Sequence, residues 1–572
     1  MRKTVPIAAA CALLTGSGET FAEPAPEVTA SRGMVVTTTG TGAAAAGVEA
    51  LKKGGTAMDA ALTAAMMQPC LAAGSYVSYA GIINVVYFDA ASGKVFDLDG
   101  AFNTVLGESE PLTIPGIDPA ALAAGGLNAF KSTPSGRTAL VPGFLAGVEA
   151  AQRRFGKRRF ADIVAPAIRC AEEGVVLSPE LAGMMKSREA VLTRRADTRA
   201  IFTKQDGSLY TAGDRFRQPA LAATLREMTR QGVTQYIYRG DWGRSFVAAL
   251  RSEGGRMAAA DLEAYLPTWI EPVHTKFNRF DVYAHGLPAL GGVSLVESLN
   301  LASAANLGAL PPYAESPLSF FWQMQFTKVG MILSAPGVAP QFGKMLGLDL
   351  SPQSRLRTET SLQLWKLLEA GRLPSVPAPH LQSPNHSDAV VAVDAQGNVA
   401  AVVHSINTVN WGSTGIFVGG ISIPDSASFQ QAAIAALPPG SRLPDPTSPG
   451  IVLENGKPVL GFSGIGSGLA QRTLGALLDI LAHGKSPQQA IASPAHGGFD
   501  YSKAASGEIG ALVGKGEFSA DYLRQLQEMG QATQEDDAQR GYWIGIALDE
   551  RKPRLRGGEL REMKMGGGAV GY

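Results

Sequence analysis

The stretch that decides the fold is NHSDAVVAVDAQGNVAAVVHSIN, residues 385–407. Two runs rich in Val and Ala flank the three residues AQG at positions 395–397. A three-residue loop that ends in a glycine with left-handed backbone is a common connection between antiparallel strands, so this pattern predicts a hairpin closed by Asp394 and Asn398. Apolar side chains fall on both faces of the two strands, which is typical of strands covered on both sides. We therefore expect the hairpin to lie in the core.

The register of this hairpin brings two hydroxyl groups together. When Asp394 pairs with Asn398, Ser387 lies opposite Ser405 at the open end of the hairpin. Upstream, residues 373–385 carry four prolines among Ser, His and Gln, a composition typical of an irregular and exposed segment. A polar loop therefore leads directly into a buried strand at Ser387.

This arrangement resembles the start of the small subunit in the gamma-glutamyltransferase family of N-terminal-nucleophile hydrolases, where self-cleavage exposes a Thr or Ser at a strand end. The resemblance runs from about Gly33 to the C-terminus and implies cleavage between His386 and Ser387, with Ser387 as the nucleophile. The new α-amine can act as the base, because its unperturbed pKa of about 7.7 to 8.0 leaves a useful neutral fraction near pH 7. Taken alone, a Ser after a Pro-rich loop is more often a turn residue.

The resemblance also assigns roles to neighbours of the nucleophile. Ser405 falls on the position of a hydroxyl partner, and Asn407 on that of a substrate or transition-state contact. The Gly-rich turn at residues 461–467 precedes a predicted helix, so backbone amides there can stabilise an oxyanion. Two successive amides do this in the family, and they correspond here to Ile465 and Gly466. Without the family, Ser405 or Asn407 would more often be a satisfied polar group of the core.

The positions that grip the donor α-carboxylate in the family differ in this chain. An Arg should follow Gly100, but Ala101 stands there. A pair of Ser residues before a Ser-Pro dipeptide is replaced by Asp445 and Pro446. Since a carboxylate at position 445 repels another carboxylate, both changes disfavour an ordinary γ-glutamyl donor.

The remaining departures concern the donor amine and the nucleophile's neighbour. The acidic residue that receives the donor α-amine corresponds to Ser428, with Asp425 nearby in a poorly aligned segment. A second hydroxyl residue after the nucleophile is replaced by Asp388. These losses indicate an acyl donor other than a γ-glutamyl group.

Composition excludes several kinds of partner. The 572 residues include 50 basic and 50 acidic side chains, so the formal net charge is zero. No basic stripe or long charge run is present, which argues against nucleic acid and against an anionic membrane surface. A small-molecule substrate fits this balance, and the family resemblance implies an amide or peptide-like donor with water or an amine as acceptor.

The first 22 residues have the layout of a cleaved signal peptide. Two basic residues precede an apolar run at residues 5–14, and a short polar piece ends at Ala22. We expect a periplasmic or secreted protein. The alternative, a buried first helix, is disfavoured by Gly16 and Gly18. The apolar run is too short to span a membrane, and no later stretch is long enough.

Cysteine and histidine spacings predict neither a metal site nor a cofactor. Cys11 would leave with the signal peptide, so Cys70 and Cys170 remain. They permit at most one disulfide and are equally consistent with two buried thiols. No paired Cys or His spacing typical of a metal site occurs.

The fold class follows from strand pairs in both halves of the chain with helices between them. These predict an α/β protein with two facing sheets covered by helices, a four-layer αββα sandwich. The length alone would suggest about two to four domains. The resemblance implies instead one domain built by two subunits of one precursor, residues 23–386 and 387–572. Further predicted hairpins and helices cover residues 85–100, 451–460, 43–51, 57–67, 143–155, 160–173, 221–231, 240–260 and 469–482.

Together these features indicate an exported, self-cleaving amide hydrolase or acyltransferase with an altered donor pocket. One alternative is a true γ-glutamyl (glutathione) hydrolase or transpeptidase that contacts its donor differently. Another is an inactive homologue that acts as a binding protein, because Asp388 and Ile465 depart from the family at the processing and oxyanion positions.

Overall fold

The computed structural model describes residues 27–116, 133–371, 387–500, 509–537, 541–549, 554–558 and 566–572. The predicted signal peptide, residues 1–22, and His386 of the predicted cleavage site lie outside these ranges. No helix in the described part of the chain is both long and apolar enough to cross a membrane.

The strands are β1 (Val28–Ala30), β2 (Met34–Thr37), β3 (Ile82–Asp89), β4 (Lys94–Gly100), β5 (Val175–Val176), β6 (Arg215–Phe216), β7 (Thr268–Ile270), β8 (Val273–Phe277), β9 (Phe280–Ala284), β10 (Asp388–Val393), β11 (Val399–Ser405), β12 (Phe417–Val418), β13 (Ile421–Ser422), β14 (Gly450–Glu454), β15 (Lys457–Ile465), β16 (His496–Asp500), β17 (Gly510–Gly514), β18 (Thr533–Asp536), β19 (Tyr542–Leu548), β20 (Leu555–Gly557) and β21 (Gly568–Gly571).

The α-helices are α1 (Thr41–Lys52), α2 (Ala57–Leu71), α3 (Phe144–Phe155), α4 (Phe160–Glu173), α5 (Pro179–Ser187), α6 (Glu189–Leu192), α7 (Ala196–Phe202), α8 (Pro219–Gln231), α9 (Asp241–Ser252), α10 (Ala259–Glu263), α11 (Gly291–Ala304), α12 (Pro317–Leu333), α13 (Val338–Leu346), α14 (Pro352–Arg355), α15 (Thr358–Glu369), α16 (Gln431–Ala435), α17 (Leu469–Leu481), α18 (Pro487–Ala492) and α19 (Ala520–Glu528). Short 3₁₀ turns and one π-helical turn occupy Pro111–Thr113, Gly136–Thr138, Leu307–Ala309, Ser426–Phe429 and Thr234–Tyr238.

The predicted central hairpin is confirmed as β10 and β11. The strands are antiparallel in the predicted register, with Asp388 opposite His404. The Asp394 amide donates to the Asn398 carbonyl at 3.2 Å, and Gly397 has a φ of 89°, which is the left-handed backbone that the loop requires. The Asp394 carboxylate also accepts the amide of Ala57 at 2.9 Å. The loop is therefore fastened to the first turn of α2.

Two seven-stranded antiparallel sheets form the centre of the molecule. The first sheet has the order β21-β2-β10-β11-β3-β4-β7, and the second has β1-β20-β19-β15-β14-β9-β8. The chain beyond residue 387 supplies strands to both sheets, interleaved with strands from the earlier half. Neither half of the chain therefore completes a sheet by itself.

The two sheets pack face to face through aliphatic side chains. Ala389, Val391 and Val403 of the first sheet share a buried cluster with Ile465 and Ile546 of the second. The opposite face of the hairpin packs on α1 and α2, whereas α11, α12, α15 and α17 cover the outer face of the second sheet. The result is the predicted four-layer αββα sandwich.

One predicted helix is wrong in extent. Residues 240–260 were expected to be continuous, but the structure has α9 followed by a separate α10. Gly254 adopts a φ of 76°, and its amide donates to the carbonyl of Arg251, so the chain turns there instead of continuing as a helix.

A disulfide links two neighbouring helices, α2 and α4. Cys70 of α2 and Cys170 of α4 are bonded to each other, with their Cα atoms 6.5 Å apart. Of the two interpretations that the sequence left open, the structure has the disulfide.

Candidate active site

The open end of the central hairpin holds two hydroxyl groups in contact. Ser387 immediately precedes β10, and its Oγ donates a hydrogen bond to Oγ of Ser405 at 2.8 Å. Ser405 ends β11 and is buried, whereas Ser387 is partly exposed. The register-based prediction that these two residues face each other is confirmed.

Ser405 is held by its position inside the first sheet. It pairs with Ile82 of β3 on the side away from Ser387. Gly81 lies beside it, and a Cβ at that position would overlap the Ser405 carbonyl oxygen. Only glycine permits this close approach of two backbones, so Gly81 fixes where β11 ends.

Asn407 completes the hydroxyl arrangement through its backbone. It has a φ of 48°, and its amide donates to Oγ of Ser405 at 3.0 Å. Ser405 Oγ thus accepts two hydrogen bonds, one from Ser387 and one from Asn407. Because a hydroxyl has two acceptor sites and one proton, the Ser405 proton remains available for a third group.

The side chain of Asn407 is anchored by Asp445. Asn407 Nδ2 donates to Asp445 Oδ2 at 2.7 Å. The other carboxylate oxygen, Asp445 Oδ1, accepts from Asn84 Nδ2 at 3.2 Å and from the Thr447 amide at 2.8 Å. Burial raises the pKa of Asp445 above its usual range, although the hydrogen bonds from Thr447 and Asn407 and the charge of His285 oppose this. Both carboxylate oxygens are therefore engaged in positioning the active-site loop.

A buried charge pair lies behind Asp445. His285 Nδ1 is 2.7 Å from Asp97 Oδ1, and the other carboxylate oxygen accepts the Gly286 amide at 2.6 Å. Burial of the ring opposes its protonation, but the attraction of the Asp97 carboxylate and their hydrogen bond outweigh burial and raise the pKa of His285 to about 9. A protonated His285 partly compensates the charge of Asp445.

The predicted oxyanion segment sits at a strand-to-helix turn. β15 ends at Ile465, Gly466 has a φ of 86°, and α17 starts at Leu469. Ile465 keeps an ordinary backbone conformation and its side chain is buried between the sheets.

Contacts between the sheets show which end of the hairpin this turn approaches. A Cβ on Gly461 would lie 2.5 Å from Cγ1 of Val399, near the start of β11. Two residues later, Ser463 Oγ donates to the Val402 carbonyl at 3.3 Å. β15 therefore advances alongside β11, and Ile465 continues toward the end that carries the hydroxyl pair.

On the donor side, the position expected to carry an Arg in the family is apolar and tightly held. The Ala101 amide donates to Asp99 Oδ1 at 2.8 Å, and its carbonyl accepts from the Tyr265 hydroxyl at 2.7 Å. Ala101 belongs to a buried cluster, here called the apolar wall, that reaches Ser405 through its pairing partner Ile82. The apolar wall consists of Ile82, Ala101, Phe102, Ile114, Leu140, Ala427, Ile434 and Leu443.

One guanidinium does lie beside Ala101, that of Arg442. It contacts the Ala101 carbonyl, the Tyr265 hydroxyl and the Leu266 carbonyl, and Nε is 3.3 Å from Asp99 Oδ2. Three hydrogen bonds and one ion pair thereby engage the guanidinium. Arg442 thus braces the backbone at the position where the family has its Arg.

The two residues predicted to receive a donor amine differ in their surroundings. Both oxygens of Asp425 accept from the loop after Asn407, one from the Thr408 hydroxyl and one from the Ser413 amide at 3.0 Å. Ser428 is buried, and its Oγ has no hydrogen-bond partner among the described residues. Ala427, next to Ser428, belongs to the apolar wall.

Sequence reasoning did not identify Asn84, His285 or Asp97. A signal for Asn84 was present, because it is the one polar residue within the apolar run of β3 from Ile82 to Phe88. His285 and Asp97 are 188 residues apart, and nothing local in the sequence joins them. In the described ranges, no group of three or more His, Cys, Asp and Glu side chains is arranged to hold a metal ion.

Comparisons with known proteins identify the family and the fold. A family model described as Gamma-glutamyltranspeptidase matches residues 43–562. Among curated proteins, a "Glutathione hydrolase proenzyme" of Pseudomonas sp. (strain A14) is 28% identical over 497 residues, covering 82% of this chain and 81% of that protein. An "Acylase ACY 1 proenzyme" of Pseudomonas sp. (strain V22) is 26% identical over 494 residues, or 82% of each chain.

Solved structures show the same fold. The cephalosporin acylase from Bacillus halodurans superposes with a TM-score of 0.76, covering 98% of this chain and 99% of that one at 22% sequence identity.

Proposed function

Because the chain belongs to the gamma-glutamyltranspeptidase family of N-terminal-nucleophile enzymes, we propose that it is a self-cleaving amide hydrolase or acyltransferase with Ser387 as nucleophile. Cleavage after His386 separates a large subunit, residues 23–386, from a small subunit, residues 387–572. Residues 1–22 act as a signal peptide that directs export to the periplasm or the medium and is then cleaved off. The observation that carries the proposal is the 2.8 Å hydrogen bond between Ser387 and Ser405 at the start of a core strand.

Self-cleavage and turnover use the same hydroxyl. In the precursor, Ser387 Oγ attacks the His386 carbonyl carbon, the peptide C–N bond breaks, and the nitrogen takes a proton to become the α-amine of Ser387. Water then hydrolyses the ester, leaving a carboxylate on His386. Ser405, whose proton is not used by its two donors, is placed to donate to the departing nitrogen.

In turnover, bonds form and break in the same order as in self-cleavage. The α-amine of Ser387 accepts the hydroxyl proton as Oγ bonds to the acyl carbon of the substrate, and the amides of Ile465 and Gly466 stabilise the oxyanion. The amide C–N bond breaks, the leaving amine takes the proton, and water or an acceptor amine receives the acyl group. Asn407, anchored by Asp445, contacts the bound donor.

We propose further that the donor lacks an α-carboxylate. Ala101 lies in the apolar wall, Arg442 is engaged by two carbonyls, the Tyr265 hydroxyl and the Asp99 carboxylate, and the charged group that Asn407 contacts is the carboxylate of Asp445. An α-carboxylate would therefore be unpaired and repelled, whereas Ser428 Oγ remains free to donate to a neutral polar group or to accept from an amine. The names of the relatives, which include a glutathione hydrolase and acylases, are consistent with donor variation in the family.

A set of four p-nitroanilides tests this choice of donor. The γ-glutamyl anilide carries the α-carboxylate and the α-amine, the γ-aminobutyryl anilide only the amine, the glutaryl anilide only the carboxylate, and the butyryl anilide neither. Leaving the carboxylate unpaired should cost about 1.5 to 3 kcal/mol, so kcat/KM should be about ten- to a hundred-and-fifty-fold higher for each donor without it.

The same measurement separates the alternatives. A clear preference for the γ-glutamyl anilide would favour a true γ-glutamyl hydrolase, and Arg442→Met should then lower turnover of the γ-glutamyl and glutaryl anilides selectively. Full-length protein that turns over none of the four anilides would indicate the inactive binding protein.

A further inference from the structure

Asp388, the residue after the nucleophile, carries a buried carboxylate without a counter-charge. Its Oδ1 accepts from the hydroxyls of Thr38, at 3.0 Å, and Thr39. Its Oδ2 is buried and has no hydrogen-bond partner among the described residues. One carboxylate oxygen is thus fixed to the segment after β2, and the other is left unsatisfied on the residue that follows Ser387 in the chain.

The groups around Asp388 do not neutralise it. His404 is its register partner on β11, with Nε2 2.7 Å from Gln68 Oε1 of α2 and a buried Nδ1 that has no partner in the described part of the chain. Burial lowers the pKa of His404 to about 3, so its ring is neutral. Tyr76, which donates to Thr39, has a pKa raised first by burial and then by the charge of Asp388.

The other titratable group on that side is Tyr542 of β19, which interacts with Tyr76. No ion pair joins Asp388 to a Lys or Arg within the described ranges, and burial raises the pKa of Asp388 to about 7. An ionised carboxylate here is costly unless a cation lies nearby. Cleavage before Ser387 creates such a cation one residue away, because it converts a peptide nitrogen into an α-amine.

We propose that Asp388 is the charge partner of the Ser387 α-amine and stabilises the ammonium form that arises when this amine takes the hydroxyl proton. The inference rests on the proposed function, since it needs cleavage at Ser387. Consecutive Cα atoms are about 3.8 Å apart, which keeps the amine nitrogen and the Asp388 carboxyl group within about 7 Å of each other. At that separation the charge should raise the pKa of the amine by about 1 to 2 units.

The pH dependence of turnover reports this interaction. The amine must be neutral to accept the proton, so kcat/KM rises with pH through the pKa of the amine. This rise is the acid limb of the pH profile, and an ionised Asp388 moves it to higher pH. The same charge also stabilises the ammonium that forms in the transition state. Removing the charge should therefore shift the limb to lower pH while lowering the rate on the plateau.

Asp388→Asn is the informative variant, because it keeps the shape and keeps an oxygen for Thr38 and Thr39. The fold should therefore be retained. Self-cleavage should stay within a few-fold of wild type, since the precursor has no amine to stabilise. With the butyryl anilide, the plateau of kcat/KM should fall about ten- to a hundred-fold and the acid limb should move down by about 1 to 2 pH units.

Thr39→Val is a second, graded variant. It removes a hydrogen bond that lowers the pKa of Asp388 and so favours the neutral carboxyl, and its acid limb should move in the same direction as that of Asp388→Asn but by less. A second readout is the pKa of the amine itself, obtained from the pH dependence of its labelling by an amine-reactive reagent and the mass of the labelled small subunit. The cleaved wild-type protein should give a value above the ordinary range of about 7.7 to 8.0.

The outcomes separate this inference from the proposed function. Absence of a fragment that begins at Ser387 in wild-type protein would overturn both. Normal cleavage with an amine pKa at or below its ordinary range would overturn the role of Asp388 alone, whatever the fate of the variant. Normal cleavage of Asp388→Asn with an unchanged acid limb would overturn it in the same way.

Discussion

The catalytic end of the hairpin and the donor side of the site are built in different ways. Ser387, Ser405 and the Asn407 amide are aligned by the register of two neighbouring strands and the first residues after them. The donor side combines Ala101, Asp445 and other side chains from segments far apart in the chain. Under the proposed function, backbone register sets the reaction, whereas donor choice depends on side chains that can change one at a time.

The largest expected effect concerns the catalytic end. Ser405→Ala should lower both self-cleavage and turnover by about ten- to a thousand-fold, because it removes the hydroxyl that donates to the departing nitrogen. The measurements are the rate of precursor conversion on a denaturing gel and kcat with the butyryl anilide.

Ser463→Ala is the control for that variant. Ser463 is a buried Ser of the facing sheet whose hydroxyl contacts only the Val402 carbonyl among its described hydrogen bonds, so both rates should stay near those of the wild type. Equal behaviour of the two Ala variants would show that register alone does not identify the catalytic hydroxyl.

Asp445 joins the two regions, because it anchors Asn407 and also faces the donor side. Asp445→Asn removes the charge with little change of shape, so discrimination against the α-carboxylate should fall about three- to thirty-fold. The measure is the ratio of kcat/KM for the γ-glutamyl and γ-aminobutyryl anilides. Asn84→Ala, which weakens the support of Asp445 but keeps its charge, should leave that ratio unchanged while lowering both values.

If Asp445→Asn changed the activity equally for both donors, Asp445 would contribute to catalysis and not to donor discrimination. Its carboxylate would then serve only to orient Asn407, and the donor preference would have to come from the apolar wall.

The smallest effect tests whether charge holds the donor side together. The folded-state pKa of His285 is raised to about 9. Its contribution to stability is therefore complete below its unfolded pKa of about 6.5 and is lost as pH rises from there through 9. The free energy of unfolding of wild type should fall by about 1 to 3 kcal/mol more than that of His285→Gln over this interval, as measured by urea denaturation.

An identical pH dependence in the two proteins would contradict the charge pair between His285 and Asp97. Ser463→Ala serves as the reference here too, because the described hydrogen bond of Ser463 goes to the Val402 carbonyl, and its pH dependence should match that of the wild type.

How far the sequence predicts the molecule depends on how local the determining contacts are. The central hairpin and the turn at Asn455 and Gly456 were predictable, because turn chemistry and alternating side chains act between near neighbours. The break after α9 was not predicted, because a glycine such as Gly254 can lie inside a helix or end it. The alternation of strand pairs and helices predicted the two-sheet architecture, whereas the family resemblance supplied the single domain and most of the predicted site roles.

The hydrogen-bond partners of the site residues could not be predicted from the sequence. The pairs Asn84 with Asp445, Thr38 with Asp388 and His285 with Asp97 are separated by 361, 350 and 188 residues. Only the assembled sheets bring them together. Asp445 was expected mainly as a repelling charge, and its two engaged oxygens and its hold on Asn407 emerged from the structure alone.

The central claim is that Ser387 becomes the N-terminal nucleophile, and the masses of the purified chains test it most directly. Wild-type protein should give two pieces, the smaller beginning at Ser387 by N-terminal sequencing, and Ser387→Thr should still be cleaved because Thr offers the same hydroxyl on a strand-compatible side chain. Ser387→Ala should remain one full-length chain without turnover. A single uncut chain for the wild type, or the same cleavage in wild type and Ser387→Ala, would contradict the assignment.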